Sequence, residues 1–134
     1  MDIRHSVAGV ALRGTTVFLA RRKPGGTMGG TWEFPGGKAE DGESDTQALI
    51  REWLEEISLE VRPVRLLGQG SFDNNGTHYI LSAWLIAIDR DPSVLVEHDE
   101  YRWVGEDEFA HLAMSDSDRA LLPFVLPLLH TGQL

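Results

Sequence analysis

Glu52, Glu55 and Glu56 stand at i, i+3 and i+4 in a stretch that reads as a helix. At 100° per residue their side chains fall within about −60° to +40° of Glu52, so three carboxylates share one face. Ile50, Trp53, Leu54 and Ile57 fall at about 100° to 200° on the same wheel. This predicts a helix that buries those four and presents the acids on the other side. Like charges this close repel, and no lysine or arginine lies on their face. Arg51, about 100° away, is placed to reach Glu43 instead. Unrelieved carboxylates suit a hard divalent cation. Mg²⁺ in particular takes one or two of them and fills its other positions with water and substrate phosphate. A solvated acidic helix face is the other reading the wheel allows.

A longer pattern surrounds this face. Gly37 is followed by five residues and Glu43, then by seven residues and Arg51-Glu52-Trp53-Leu54-Glu55-Glu56-Ile57-Ser58-Leu59. The pattern resembles the Nudix box, matching it at every charged position. Ser58 is the single departure, standing where that family has glycine. The residue there ends the helix in the left-handed conformation, where a serine costs on the order of 1 kcal/mol. Three further segments resemble the MutT-type branch of the family, the nucleoside triphosphate pyrophosphohydrolases. They are Ala20-Arg21-Arg22 with the glycine loop and Trp32-Glu33-Phe34-Pro35-Gly36-Gly37-Lys38, the pair Glu97-His98 ahead of Trp103, and Asp116 to Leu122.

The resemblance implies an α+β Nudix fold, a mixed sheet sandwiched between helices, as a single domain over residues 1–134. It implies hydrolysis of a nucleoside triphosphate (modified, oxidised or cytidine-type) to monophosphate and pyrophosphate with Mg²⁺, or Mn²⁺ in its place. Such chemistry serves nucleotide-pool sanitation. Glu52, Glu55 and Glu56 are then metal ligands, with the carbonyl of Gly37. Glu97 is the distant carboxylate, a ligand or the base for water, and Glu100 competes for that role. Glu43 and Arg51 form an orienting ion pair. Arg22 and Asp118 (Asp116 if the loop shifts) reach the nucleobase, and Lys38 binds substrate. An ionised aspartate at 118 offers acceptors only, which suits the amino group of cytosine or the N1 and N2 hydrogens of guanine. The alternatives are another nucleoside diphosphate derivative as substrate, ADP-ribose or a dinucleoside polyphosphate, and a non-catalytic nucleotide sensor. Non-catalytic relatives usually lose box carboxylates, which this chain keeps.

The elements that must position these groups are legible in outline. His5–Leu12 is an apolar strand, Arg13-Gly14 a turn, and Val17–Ala20 its hairpin partner. Residues 24–31 are a glycine-rich loop, and Trp32–Phe34 a short strand. The helix starts at Ser44, whose spacing to Gln47 is that of a capping box, and runs to about Ile57. Val61–Leu67 and Ser71-Phe72 are extended, Asn75-Gly76 signals a type I′ turn, and Thr77–Ile88 is the longest strand. Val94–Val96 and Tyr101–Val104 read as short strands. Asp107–Leu112 and the segment after Asp116 read as helical, with Pro123 and Pro127 set to kink or end the last helix. Trp84 and Phe34 are core candidates. His5, His78, His111 and His130 are scattered and form no metal set.

Composition narrows the field. The net charge is −9, from 21 acids and 12 bases, a field that opposes duplex nucleic acid and anionic lipid. Residues 37–61 alone hold eight acids against two bases, so an anionic substrate requires a cation to bridge it. There is no cysteine, hence no disulfide, thiolate metal site or cysteine nucleophile. Gly37-Lys38-Ala39 lacks the hydroxyl of a Walker loop. The longest apolar run, Ala120–Leu129, is ten residues and holds two prolines, too short for a bilayer. The first residues lack a signal-peptide layout. A cytoplasmic protein acting on a small-molecule nucleotide is the expectation, with the oligomeric state open between monomer and homodimer.

Overall fold

The computed structural model describes residues 2–131. Strand β1 (Asp2–Arg13) turns through Gly14 into β2 (Thr16–Arg22). After the glycine-rich loop come β3 (Trp32–Glu33) and β4 (Gly36–Lys38), then helix α1 (Asp45–Ile57). A long hairpin, β5 (Arg62–Asn74) and β6 (Thr77–Ala87), leads to β7 (His98–Val104). A 3₁₀ helix (Glu106–His111), the short α2 (Asp116–Arg119) and α3 (Leu122–Thr131) complete the chain. The sheet is mixed. β1 pairs with β6 in parallel from Asp2↔Thr77 to Ala11↔Ile86, and every other ladder is antiparallel.

The sheet is a layer because β1 and β2 are apolar on both faces. Val7, Ala11, Phe18 and Ala20 point to a core that α1 closes with Ala48, Leu49, Trp53 and Ile57. Ala8, Val10, Val17 and Leu19 point the other way, onto Phe34, Phe109, Leu121, Val125 and Leu129. The two sets follow the period-2 alternation of a strand. A strand buried on both faces loses its polar residues, which is why His5–Leu12 reads as a nearly continuous apolar run. This is the expected α+β sandwich.

Helix α1 begins as its sequence says. The Ser44 hydroxyl accepts from the Gln47 amide at 3.2 Å, and the Gln47 side chain accepts from the Ser44 amide at 2.9 Å. Its rotation differs from the wheel. Ile50 and Leu54 are 42% and 52% exposed, whereas Glu56 is buried beside Trp53 and Ile57. The buried arc runs from Ala48 through Leu49 and Glu56 to Ile57, so the acids turn toward the sheet edge instead of away from it. Trp53 explains the angle. Its Nε1 donates to the Pro35 carbonyl at 2.8 Å, and its indole occupies the space a side chain at Gly9 would need.

Three more expectations need correction. Val94–Val96 forms no strand; the segment is a loop whose Val96 amide donates to the Glu56 carbonyl at 3.0 Å. That bond satisfies a carbonyl otherwise unpaired at the end of α1. Residues 62–74 are one strand, with register shifts near Pro63 and Leu66 absorbing its irregular sequence. Helix α3 continues through Pro127. Leu121, Val125 and Leu129, at i, i+4 and i+8, hold it on the core despite the missing donor. Trp84 is half-buried, and its Nε1 donates to Asp45 at 3.1 Å. Asn75 and Gly76 both have positive φ, as a type I′ turn requires. No described helix is long and apolar enough to cross a membrane.

Ser58 ends α1 at φ 60°, ψ 34°, in the left-handed region. Glycine has no Cβ penalty there, and its greater freedom in the unfolded chain offsets only part of the gain. Ser58→Gly is expected to stabilise the protein by about 0.5–1 kcal/mol, a rise of a few degrees in Tm. Calorimetric melting of the two proteins measures it.

Candidate active site

A cleft of about 400 Å³ is lined by Arg22, Gly36, Gly37, Lys38, Glu52, Glu55, Glu56 and Glu97. Four elements build it. β4 supplies the glycines and Lys38, and α1 supplies three carboxylates. β2 ends at Arg22, and the loop entering β7 brings Glu97, whose carbonyl accepts from the Lys23 amide at 3.2 Å. A Cβ at Gly37 would lie 2.5 Å from the Glu52 carboxyl carbon, so the box glycine leaves the Glu52 carboxylate room to sit against β4. Glu100 faces elsewhere, held by Arg102 at 2.8 Å and by Arg21 at 3.4 Å.

The three acids of α1 are not equally placed. Arg51 reaches further than the wheel allowed. It bonds Glu43 at 2.6 and 2.9 Å, Glu52 at 2.8 Å, Glu55 at 3.4 Å and the Lys38 carbonyl at 3.0 Å. The carboxyl of Glu43 is drawn down to about 2 by that guanidinium and by the Glu40 amide. Glu56 receives none of this relief. Its nearest cation is Arg22, 4.0 Å away. Burial first, then the carboxyls of Glu52 and Glu33 beside it, push Glu56 far above the usual carboxylate range. The four glutamates and the Gly37 carbonyl offer oxygen ligands, and one of these acids is short of a cation. This donor set fits a hard divalent ion.

A second cleft, of about 520 Å³, shares Arg22, Gly36, Gly37 and Lys38 with the first and adds Glu33, Phe34, Leu81 and Asp118. Asp118 is buried. Its Oδ1 accepts from the Phe34 amide at 3.2 Å and its Oδ2 from the Ser115 hydroxyl at 2.9 Å. Ser115, not Asp118, is the N-cap of α2. Burial, and then the charge of Glu33, raise Asp118 to about 7. Asp118 is thus ionised, and an acceptor only, above about pH 7. Asp116 lines a neighbouring cleft with Ser71 and Phe72.

Glu33 and His98 were not singled out as functional from the sequence. Ligand atoms of Glu33, Glu56 and His98 lie within 4.8 Å of one another. Glu33 stands between two aromatics and His98 among the acids Glu97, Asp99 and Glu100, and only their positions inside the MutT-like segments carried a signal.

Comparison with known proteins agrees with this geometry. Residues 3–125 match the NUDIX domain family, and the chain belongs to it. The CTP pyrophosphohydrolase of Escherichia coli is 30% identical over 128 residues, covering 96% of this chain and 95% of that one. A putative 8-oxo-dGTP diphosphatase 2 of Mycobacterium tuberculosis is 49% identical over 115 residues, covering 84% and 81%. Among solved structures, that of the E. coli ORF135 protein aligns with a TM-score of 0.84 at 29% identity, over 96% of this chain and 91% of that one. The protein is a Nudix pyrophosphohydrolase with MutT-like relatives.

The raised Asp118 carboxyl gives a signed pH dependence. The native state binds this proton more tightly than the unfolded chain does. Its contribution is therefore fully present below the unfolded value near 4 and lost as pH rises to about 7. Asp118→Asn cannot titrate. Relative to the wild type it should gain on the order of 2–4 kcal/mol between pH 4 and pH 8. Denaturant melts at the two pH values test this; a constant difference contradicts the buried carboxyl.

Proposed function

We propose that this protein hydrolyses a nucleoside triphosphate, of cytidine or 8-oxoguanine type, to the monophosphate and pyrophosphate with Mg²⁺. Mn²⁺ would substitute. One observation carries the reading. The cleft lined by Glu52, Glu55, Glu56, Glu97 and Gly37 shares Arg22, Gly36, Gly37 and Lys38 with the cleft lined by Asp118, so the two adjoin. A nucleotide has this polarity, with polyphosphate at one end and base at the other. The whole chain, residues 1–134, is proposed to act as one domain, in the cytoplasm where its substrates are made.

Glu52 and Glu56 are the main metal ligands in this account, with Glu55 and the Gly37 carbonyl beside them. A cation held by these residues would neutralise the polyphosphate and acidify the attacking water. Glu97 lies across the cleft and takes the proton of that water as its oxygen bonds to phosphorus and the phosphoanhydride bond breaks. Lys38 holds phosphate oxygens, and Arg22 reaches toward the base. The Glu43–Arg51 pair keeps Glu52 aimed. Asp118 meets the edge of the base. Two relatives support the substrate class by their names, CTP pyrophosphohydrolase and 8-oxo-dGTP diphosphatase. A sensor without turnover would have no need to keep every box carboxylate, and this chain keeps them all.

Pyrophosphate release with Mg²⁺ tests the reading, over CTP, 8-oxo-dGTP, the unmodified triphosphates, ADP-ribose and diadenosine tetraphosphate. One of the first two should give the highest kcat/KM. Preference for ADP-ribose or the dinucleotide overturns it. Glu56→Gln keeps the shape and removes a ligand, so kcat should fall by at least about 10²-fold. Compared at pH 8, where the wild-type carboxyl is ionised, Asp118→Asn exchanges an acceptor for a donor. It should shift the ratio of CTP to 8-oxo-dGTP hydrolysis by roughly 5- to 150-fold toward the oxidised purine. An unchanged ratio removes Asp118 from base recognition.

A further inference from the structure

The ladder between β2 and β7 has an irregularity where it reaches the site. Arg21 pairs with Glu100 and the next residue, Arg22, pairs with His98, so Asp99 is an extra residue on β7. A bulge of this kind re-aims a side chain. In an unbroken ladder Asp99 would oppose Arg22. The bulge gives that place to His98, and Asp99 is left outside, bonded to Arg21 at 2.9 Å.

His98 is fully buried. Its Nε2 lies 2.8 Å from Oε2 of Glu33. Arg22 Nη1 approaches the same oxygen at 3.2 Å and the other at 3.5 Å, and stands 4.0 Å from Glu56. The Nδ1 of His98 is buried with no hydrogen-bond partner among the described residues. These partners set the tautomer. The hydrogen belongs on Nε2, where a carboxylate accepts it, and the bare lone pair on Nδ1, where a hydrogen would find no acceptor. Glu33, Glu56 and His98 are close enough to suggest a metal cage, but the Arg22 guanidinium already occupies the cation's place among them.

We propose that His98 is a positioning residue for nucleotide hydrolysis. Its imidazole donates from Nε2 to Glu33, and Glu33 so held fixes the Arg22 guanidinium where the two clefts meet. Arg22 lines both clefts, so a nucleotide lying across them passes it. Arginine has many rotamers, and fixing it before substrate arrives removes an ordering cost from binding. Glu33 faces two donors from two different strands, and with only Arg22 as partner it would follow that side chain instead of restraining it. The inference rests on the functional reading above, since it needs a nucleotide in the joined clefts.

The test is a double-mutant cycle on the triphosphate the wild type hydrolyses best. His98→Met keeps bulk and removes the donor; His98→Gln returns an N–H near the position of Nε2. The Met variant is expected to lose about tenfold or more in kcat/KM, mainly through KM, and the Gln variant to stay within about threefold of wild type. In an Arg22→Ala background His98→Met should cost less than about twofold further, because the residue it positions is gone. An equal loss in both backgrounds, or no recovery with Gln, makes His98 merely structural and overturns the proposal. Long-range ¹H–¹⁵N spectra of the wild type provide a measurement that needs neither turnover nor a variant. Nε2 protonated and Nδ1 bare is the expected pattern, and a hydrogen on Nδ1 overturns the proposal even if the Met variant fails to fold. A wild type that hydrolyses none of the nucleotides overturns the functional reading instead, and with it the role in hydrolysis. The expected spectrum would then leave only the Glu33 contact standing.

Discussion

The guanidinium of Arg51 donates to both oxygens of Glu43, to Glu52, to Glu55 and to the carbonyl of Lys38. It thereby ties the acidic loop, strand β4 and helix α1 together at the point where Gly37 lets Glu52 approach. Charge-assisted bonds to a partly buried arginine are strong and directional. Sharing this one cation among three acids also decides which acid goes without. Glu56, buried and facing Glu52 and Glu33, has only Arg22 at the edge of reach. The site thus holds two kinds of carboxylate, some braced by protein and one short of a positive charge.

That division fits an acidic protein with an anionic substrate. Under the proposed function the polyphosphate end would meet oxygen donors that need a cation between them and the phosphates. The base end would meet Asp118, whose burial keeps its charge conditional on pH. Arg22 stands between the two ends and is held by Glu33. The apolar faces of β1 and β2 give these groups a rigid base, since both sides of those strands are packed. The end of β2, the short β4, one side of α1 and the loop before β7 reach the cleft, where side chains leave the core and become available.

Most of the fold was legible because its signals are local. The Ser44–Gln47 capping box, the left-handed Ser58 and the Asn75-Gly76 turn each depend on a few adjacent residues. The box spacing likewise brought Gly37, Glu43, Arg51 and the three glutamates into one place before any coordinates. What failed was rotation and reach. A wheel ranks faces by apolar residues, so Ile50 and Leu54 outvoted Glu56, although Glu56 is the one the fold buries. It also treats side chains as short, and Arg51 crosses the angle the wheel assigned to it. Val94–Val96 has strand composition and serves instead to cap α1. His98 and Glu33 were hidden because their partnership depends on a bulge between distant strands, which no sequence window contains.

The account's central claim is that the α1 carboxylates form a cation site whose unrelieved member is Glu56. Mn²⁺ alone, titrated into wild type and Glu56→Gln without nucleotide, tests it directly, with free ion followed by electron paramagnetic resonance. The account predicts saturable binding to the wild type and a loss of about tenfold or more in affinity in the variant. Equal binding by both proteins, with both folded, would contradict it.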